Sequence, residues 1–207
     1  MFELVPSNAI ERKPLASLAE IFSGLPTYRL KHGSVAIPVV TIKDIDHASE
    51  ENWQLSSLQI PDPDRLLRFR LNPGDVVITS RGTTLKSCVV PPRWNVAMLG
   101  SNLIGIRVGG ILRPELLAEF LNSKPGKQAI ERRLVGSNLL LLTTRSLGEL
   151  EVPVPPHDEQ ARLADLISAA ETQYQMAIAA AAKRREIMHR IVLHSFRGKK
   201  AKPEDKE

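Results

Sequence analysis

The chain has 207 residues, 43% of them hydrophobic and only 4% aromatic, so it has room for one sizeable domain plus an appendage, with a core built mainly of Leu, Ile and Val. The formal net charge is +5 and the pI about 9.5, with much of the basic excess in Lys183, Arg184, Arg185, Arg190, Arg197, Lys199, Lys200 and Lys202, a distribution that suits a nucleic-acid partner or a solubilising tail. The single cysteine, Cys88, excludes an internal disulfide and a Cys-based zinc site, and the lack of an apolar leader after Met1 or of a run near ~18 apolar residues predicts a soluble, cytoplasmic protein with no membrane partner.

In chain order, Leu15, Leu18, Ala19 and Phe22 have helical spacing, which predicts a short helix over Lys13 to Phe22 with Gly24 as its C-cap. Leu25 to Val35 reads as a polar loop. Ile37 to Ile42 reads as a strand with Pro38 near its start, and Trp53 to Ile60 as a second. Leu66 to Leu71 reads as a strand after the turn Pro61-Asp62-Pro63-Asp64. Asn72-Pro73-Gly74-Asp75 is a turn feeding a buried strand, Val76 to Thr79. Arg81 to Lys86 is a polar loop, and Ser87 to Val90 resumes a strand in which Cys88 is buried. Val96 to Leu99 and Leu103 to Val108 are strands split by Gly100-Ser101-Asn102. Pro114 opens a helix that runs to about Asn122. A second helix covers about Lys127 to Leu134, Leu139 to Thr143 is a strand, and Ser146 to Leu150 is a turn into Val152-Pro153-Val154-Pro155. The fold class is α+β, a multi-stranded twisted sheet with short helices.

No Gly or Pro occurs from His157 to Phe196, which predicts one helix about 57 Å long at ~1.5 Å per residue. Its apolar positions are Leu163, Leu166, Ile167, Ala170, Tyr174, Ala177, Ile178, Ala181, Met188, Ile191 and Val192. They recur every three to four residues, as in a coiled-coil seam. A helix of that length needs a partner helix for this stripe. The alternative is a helix folded back on its own head.

Signatures of catalysis are lacking. Pro61-Asp62 would open a nuclease motif, but the following strand, Val76 to Thr79, has no acidic-x-Lys. Ser80 has no glycine two residues before it, and Gly126-Lys127 lacks the first glycine of a phosphate loop. The five histidines are scattered. These absences point to a non-catalytic binding protein with no metal. The polar loops instead carry groups suited to phosphates and base edges. The candidates are Arg29, Lys31 and His32; Lys43; Arg81, Thr83, Thr84 and Lys86; Ser101 and Asn102; and Arg132, Arg133, Ser137 and Asn138.

Several stretches carry a family resemblance. These are Leu15-x-x-Leu18-Ala-Glu-Ile-Phe-Ser-Gly24, Ile37-Pro38-Val39-Val40 through Asp44-Ile45, and Pro73-Gly74-Asp75-Val76-Val77-Ile78-Thr79-Ser80-Arg81-Gly82-Thr83. Pro114-Glu115-Leu116-Leu117 with Phe120 to Ser123, Gly136-Ser137, and Val152-Pro153-Val154-Pro155-Pro156-x-x-Glu159-Gln160 complete the set. From Lys13 to Phe196 the chain resembles the target-recognition domain and long helix of type I restriction–modification specificity subunits. The resemblance implies a subunit that selects double-stranded DNA for adenine methyltransferase subunits and, through them, for an ATP-driven restriction motor subunit. S-adenosylmethionine, ATP and Mg would belong to those partners, leaving no cofactor in this chain. It also implies a recognition domain over 1–152, a spacer and docking helix over 153–197, and a disordered basic tail over 198–207.

A typical member has two recognition domains and two helices, and this sequence has one of each. The gap would be filled by an antiparallel coiled-coil homodimer that reads an inverted repeat, or by pairing with a different half-subunit. The helix length would cap the separation of two heads at about 17 base pairs. The rival expectation is a non-catalytic scaffold or decoy that assembles with methyltransferase without DNA specificity.

Overall fold

A computed structural model of the chain describes residues 10–26, 33–82, 85–134 and 141–196. Their strands form three sheets. The largest has the order β2-β8-β5-β6, made of β2 (Ala19–Ser23), β8 (Leu103–Val108), β5 (Val76–Thr79) and β6 (Ser87–Val89). The second has the order β4-β3-β7, made of β4 (Ser56–Ile60), β3 (Val35–Val40) and β7 (Met98–Leu99), with β3 and β7 parallel. The third pairs β1 (Glu11–Pro14) antiparallel with β9 (Glu151–Val154). The chain divides into two compact units, one up to Ile167 and one from Ser168 onward.

The four-stranded sheet has apolar packing on both faces, which explains the unbroken run in β5. Val76 and Ile78, with Ile104 and Ile106 of β8, face one core. That core also holds Leu117, Ala118 and Leu121 of α2 (Pro114–Asn122) and Ile130 of α3 (Lys124–Glu131). Val77, between them, faces a second core with Val40, Leu71, Trp94, Leu99 and Leu103. Successive strand residues point to opposite faces, so a strand covered on both sides reads as continuous Val and Ile.

Several elements differ from the sequence expectation. The helix expected over Lys13 to Phe22 is a single turn, α1 (Leu15–Leu18), followed by strand β2. Pairing with β8, from Ala19↔Val108 to Ser23↔Ile104, overrides the helical spacing. In β2 the alternation sends Ile21 to the first core and Phe22 to the second. Gly24 is therefore no helix cap. Its N–H donates to the Leu103 carbonyl at 3.0 Å, and a Cβ there would lie 1.8 Å from the Gly100 carbonyl oxygen, so only glycine fits. The strand expected over Leu66 to Leu71 is a 3₁₀ turn, Asp64–Phe69, after Pro63.

β4 starts at Ser56 rather than Trp53, and β3 ends at Val40, so Ile42 opens a 3₁₀ turn instead. Helix α3 begins earlier than Lys127, because Ser123 caps it by accepting from the Gly126 N–H at 3.2 Å and Pro125 suits its first turn. The turn expected at Ser146 to Leu150 is α4 (Thr144–Gly148), with a reciprocal Thr143–Ser146 capping box. Of the strand expected over Leu139 to Thr143, Leu139 and Leu140 lie outside the described residues, and Leu141 forms an isolated bridge with Arg81. Cys88 is half-buried as a residue and packs against the second core.

Helix α5 (His157–Phe196) runs 40 residues. Asp158 and Glu159 in its first turn suit the positive end of the helix dipole. Its buried residues are Gln160 and Ala164, one turn apart on the same face, while Leu163 and Ile167 are half-buried. Leu166, Tyr174, Ile178, Met188, Ile191 and Val192 are 40–62% exposed, and Ala170, Ala177 and Ala181 are exposed as well. The exposed apolar set is larger than the seam read from spacing, since Met176, Ile187, Leu193 and Phe196 belong to it. No described helix is long and apolar enough to cross a membrane.

Candidate nucleic-acid interface

The 3₁₀ turn Ile42–His47 is the organising element of the candidate site. It follows β3 directly, and Thr41 and Asp44 close it. The Thr41 N–H and hydroxyl donate to Asp44 Oδ2 at 2.7 and 2.6 Å, and Trp53 Nε1 donates to Asp44 Oδ1 at 2.8 Å. Asp44 is fully buried, and these bonds satisfy a carboxylate that would otherwise be costly there. The far end of the turn is held from outside. Arg93 Nη2 donates to the carbonyls of Ala48 and His47, where a cation suits exposed carbonyls. The His47 ring stacks on Trp53 at 3.6 Å between centroids, and its Nδ1 lies 2.7 Å from Glu50 Oε1. Residues near 41, 53 and 93 thus fix one short exposed segment.

Four of the sequence candidates gather around this segment. Lys43 Nζ donates to Ser56 Oγ at 3.0 Å. Lys43, Ser101 and Asn102 share a cleft of about 370 Å³ with Thr41, Ile42 and Ser56. Asn102 has φ +64°, a left-handed conformation that Asn tolerates better than most residues. Its carbonyl accepts from the Ser80 N–H at 2.8 Å, which ties this turn to the end of β5. Lys86 Nζ donates to both oxygens of Asp46, at 2.7 and 2.6 Å, and so bridges the loop before β6 to the 3₁₀ turn. Arg81, next in the chain after Ser80, is exposed.

Other candidates lie elsewhere. Arg133 donates through Nη1 to the Ala129 carbonyl at 3.0 Å and through Nη2 to the Glu149 carbonyl at 3.1 Å, so its fork joins the end of α3 to α4. Arg132 is exposed at the end of α3. Arg29, Lys31, His32, Thr83, Thr84, Ser137 and Asn138 lie outside the described residues. Sequence reasoning missed Asp44, Asp46, His47, Trp53 and Arg93. The available signal was Thr41-x-x-Asp44, the spacing of a helix-capping box.

The motifs that drew the family resemblance are largely structural. Gly74 has φ +87°, which completes the turn that brings Asp75 into the interior. Buried Asp75 accepts from Arg107 Nε at 3.0 Å and Nη2 at 2.8 Å, and from the Asn72 N–H at 2.8 Å. This pairing raises the Arg107 pKa above its ordinary value. Gln160 Oε1 accepts from the Arg113 N–H at 3.0 Å, and its Nε2 donates to the carbonyls of Ile111 and Pro155 at 2.9 and 3.0 Å. Cys88, in β6, has its thiol pushed up to about 12, first by burial and then by the negative charge of Asp46.

Neither a family profile nor a curated protein matches the sequence. Solved structures do match the fold. The HsdS subunit from Thermoanaerobacter tengcongensis superposes with a TM-score of 0.63 at 17% identity, over 92% of this chain and 48% of that one. This is the fold of a type I specificity subunit. A chain solved in work on complex assembly and conformational transition of the type I R-M system gives a TM-score of 0.63 at 17% identity, over 92% of this chain and 45% of that one. The type I restriction-modification S subunit from M. genitalium gives 0.55 at 14% identity, over 88% and 45%. The chain spans about half the length of the solved chains it matches, from 45% to 48% of each. The α+β specificity-subunit fold with a long helix, expected from the motifs, is the fold observed.

Proposed function

We propose that this chain is a non-catalytic DNA-recognition subunit of a type I restriction–modification system. The observation that carries the proposal is the S-subunit fold over 92% of the chain, at a TM-score of 0.63. The polar segment around Ile42–His47, with Lys43, Lys86, Ser101 and Asn102, supports it as the surface that meets double-stranded DNA. Methyltransferase subunits, and through them a restriction motor subunit, are the protein partners in this reading. S-adenosylmethionine, ATP and Mg belong to those partners.

The finer reading is an antiparallel homodimer that recognises an inverted repeat. The exposed apolar stripe of α5 supports it. Leu166, Tyr174, Ile178, Met188, Ile191 and Val192, with Ala170, Ala177 and Ala181 among them, follow coiled-coil spacing and are exposed. Two copies paired by a two-fold axis present two identical heads, and identical heads read a split palindrome. Residues 1–152 then form the recognition domain and 153–197 the spacer.

The test is co-purification with type I methyltransferase subunits, followed by genome-wide mapping of methylated adenines and analytical ultracentrifugation of the chain at micromolar concentrations. A split symmetric motif with a dimeric chain is expected. A monomer would remove the homodimer, and methyltransferase association without any methylation motif would favour a scaffold.

A further inference from the structure

The Lys86–Asp46 pair adds little to stability. Both side chains are about half exposed, at 48% and 53%, and exposed ion pairs contribute little. The 3₁₀ turn that carries Asp46 is already held by Asp44, Trp53 and Arg93. The fold therefore sets a carboxylate on this held turn beside an ammonium from the loop before β6, 2.6 Å apart. Ile42, in the same turn, exposes an apolar surface of 43%.

We propose that Lys86 and Asp46 together read one G·C base pair in the major groove. The proposal rests on the DNA-recognition reading above. Guanine presents two acceptors there, O6 and N7, and the paired cytosine presents a donor, N4. An ammonium matches the first and a carboxylate matches the second. Without DNA the two side chains satisfy each other. On DNA each exchanges its partner for a base edge, and no net charge is left uncompensated. A carboxylate is repelled by the phosphate backbone, so Asp46, paired with Lys86, fits a base edge and not a backbone contact. Lys43, in the same turn as Asp46, and Arg81, in the loop that leads to Lys86, are exposed cations that suit phosphates. The exposed Ile42 side chain is the kind of group that touches a thymine methyl beside it.

The experiment is selection of bound duplexes from a library with a randomised core, using the full chain and two variants. One is Asp46→Ala. The other is the exchange Asp46→Lys with Lys86→Asp, which restores an ion pair and should keep the melting temperature at the parent value. The parent chain is expected to enrich a motif with a fixed G·C pair. Asp46→Ala should reduce discrimination at that one position by roughly tenfold and leave the others intact. The exchanged pair should not restore it. Unchanged discrimination in Asp46→Ala, or full recovery in the exchanged variant, would overturn the proposal and leave the DNA-recognition reading standing. If the parent chain enriches no motif, that reading fails and the base-pair assignment fails with it.

Discussion

Gln160 accepts the backbone N–H of Arg113 through Oε1 at 3.0 Å, across 47 residues of sequence. The same side chain donates to Ile111 and Pro155, so both ends of its amide are satisfied inside the protein. This one residue joins the first turn of α5 to the loop that precedes α2. It gives the Glu-Gln end of the Pro-Pro-x-x-Glu-Gln motif a physical reason. Gln160→Ala leaves those backbone groups without partners in a buried site and should cost about 1–3 kcal/mol. Glu159→Ala removes an ion pair with Arg162, which is 65% exposed, and should cost under about 1 kcal/mol. Urea denaturation of the two variants checks the contrast, and equal losses would refute the anchoring role.

Asp75 and Arg107 form the most enclosed ion pair described, with Asp75 only 3% exposed. Asp75→Ala leaves the Asn72 N–H without its acceptor and takes from Arg107 its nearest carboxylate, leaving it Glu20 at 3.6 Å and the Arg70 carbonyl at 3.2 Å. Because Arg107 remains 36% exposed, the loss should fall at the low end for broken buried pairs, about 3 kcal/mol. A lowered denaturation midpoint with an unchanged slope is the expected result.

Cys88 gives a pH prediction. Its thiol pKa is raised in the fold from 9.0 to about 12, so the folded chain holds a proton that the unfolded chain releases. The stability from this group is full below pH 9.0 and is lost as the pH rises toward about 12. Cys88→Ala should flatten the alkaline fall in stability, as read by denaturation at pH 8 and pH 10. Native Cys88 should also alkylate more slowly at pH 8 than in urea.

Gly24 approaches the Gly100 backbone too closely for any side chain, since a Cβ would sit 1.8 Å from a carbonyl oxygen. Gly24→Ala must therefore move backbone and should cost about 1–3 kcal/mol. Gly110→Ala, with nothing within 4 Å of the added carbon, meets only the cost of its φ of +87°. Thermal melts of the pair separate collision from backbone strain.

The sequence was most legible where one local rule had no rival. Pro114 placed the start of α2, the Pro-Gly-Asp turn placed β5, and the lack of Gly or Pro placed all of α5. It misled where two periodicities fit the same residues. Leu15, Leu18, Ala19 and Phe22 satisfy a helix, while Ala19 to Ser23 also satisfies a strand with packing on both faces. A ladder to β8 decided between them, and β8 lies some eighty residues away. The candidate site shows the same division. Loop composition pointed to Lys43, Lys86, Ser101 and Asn102, but Asp46 and Arg93 carry no local signal of their own.

What the chain determined by itself is therefore its class and its long helix, because turn chemistry and helix propensity act within a few residues. What only the tertiary structure decided is which polar groups work together. Lys86 meets Asp46, Arg107 meets Asp75 and Gln160 meets Arg113 because sheet pairing and the two cores bring distant segments into contact. Hydrogen bonds and ion pairs act only at such short range, so their partners become visible once the backbone has closed around them.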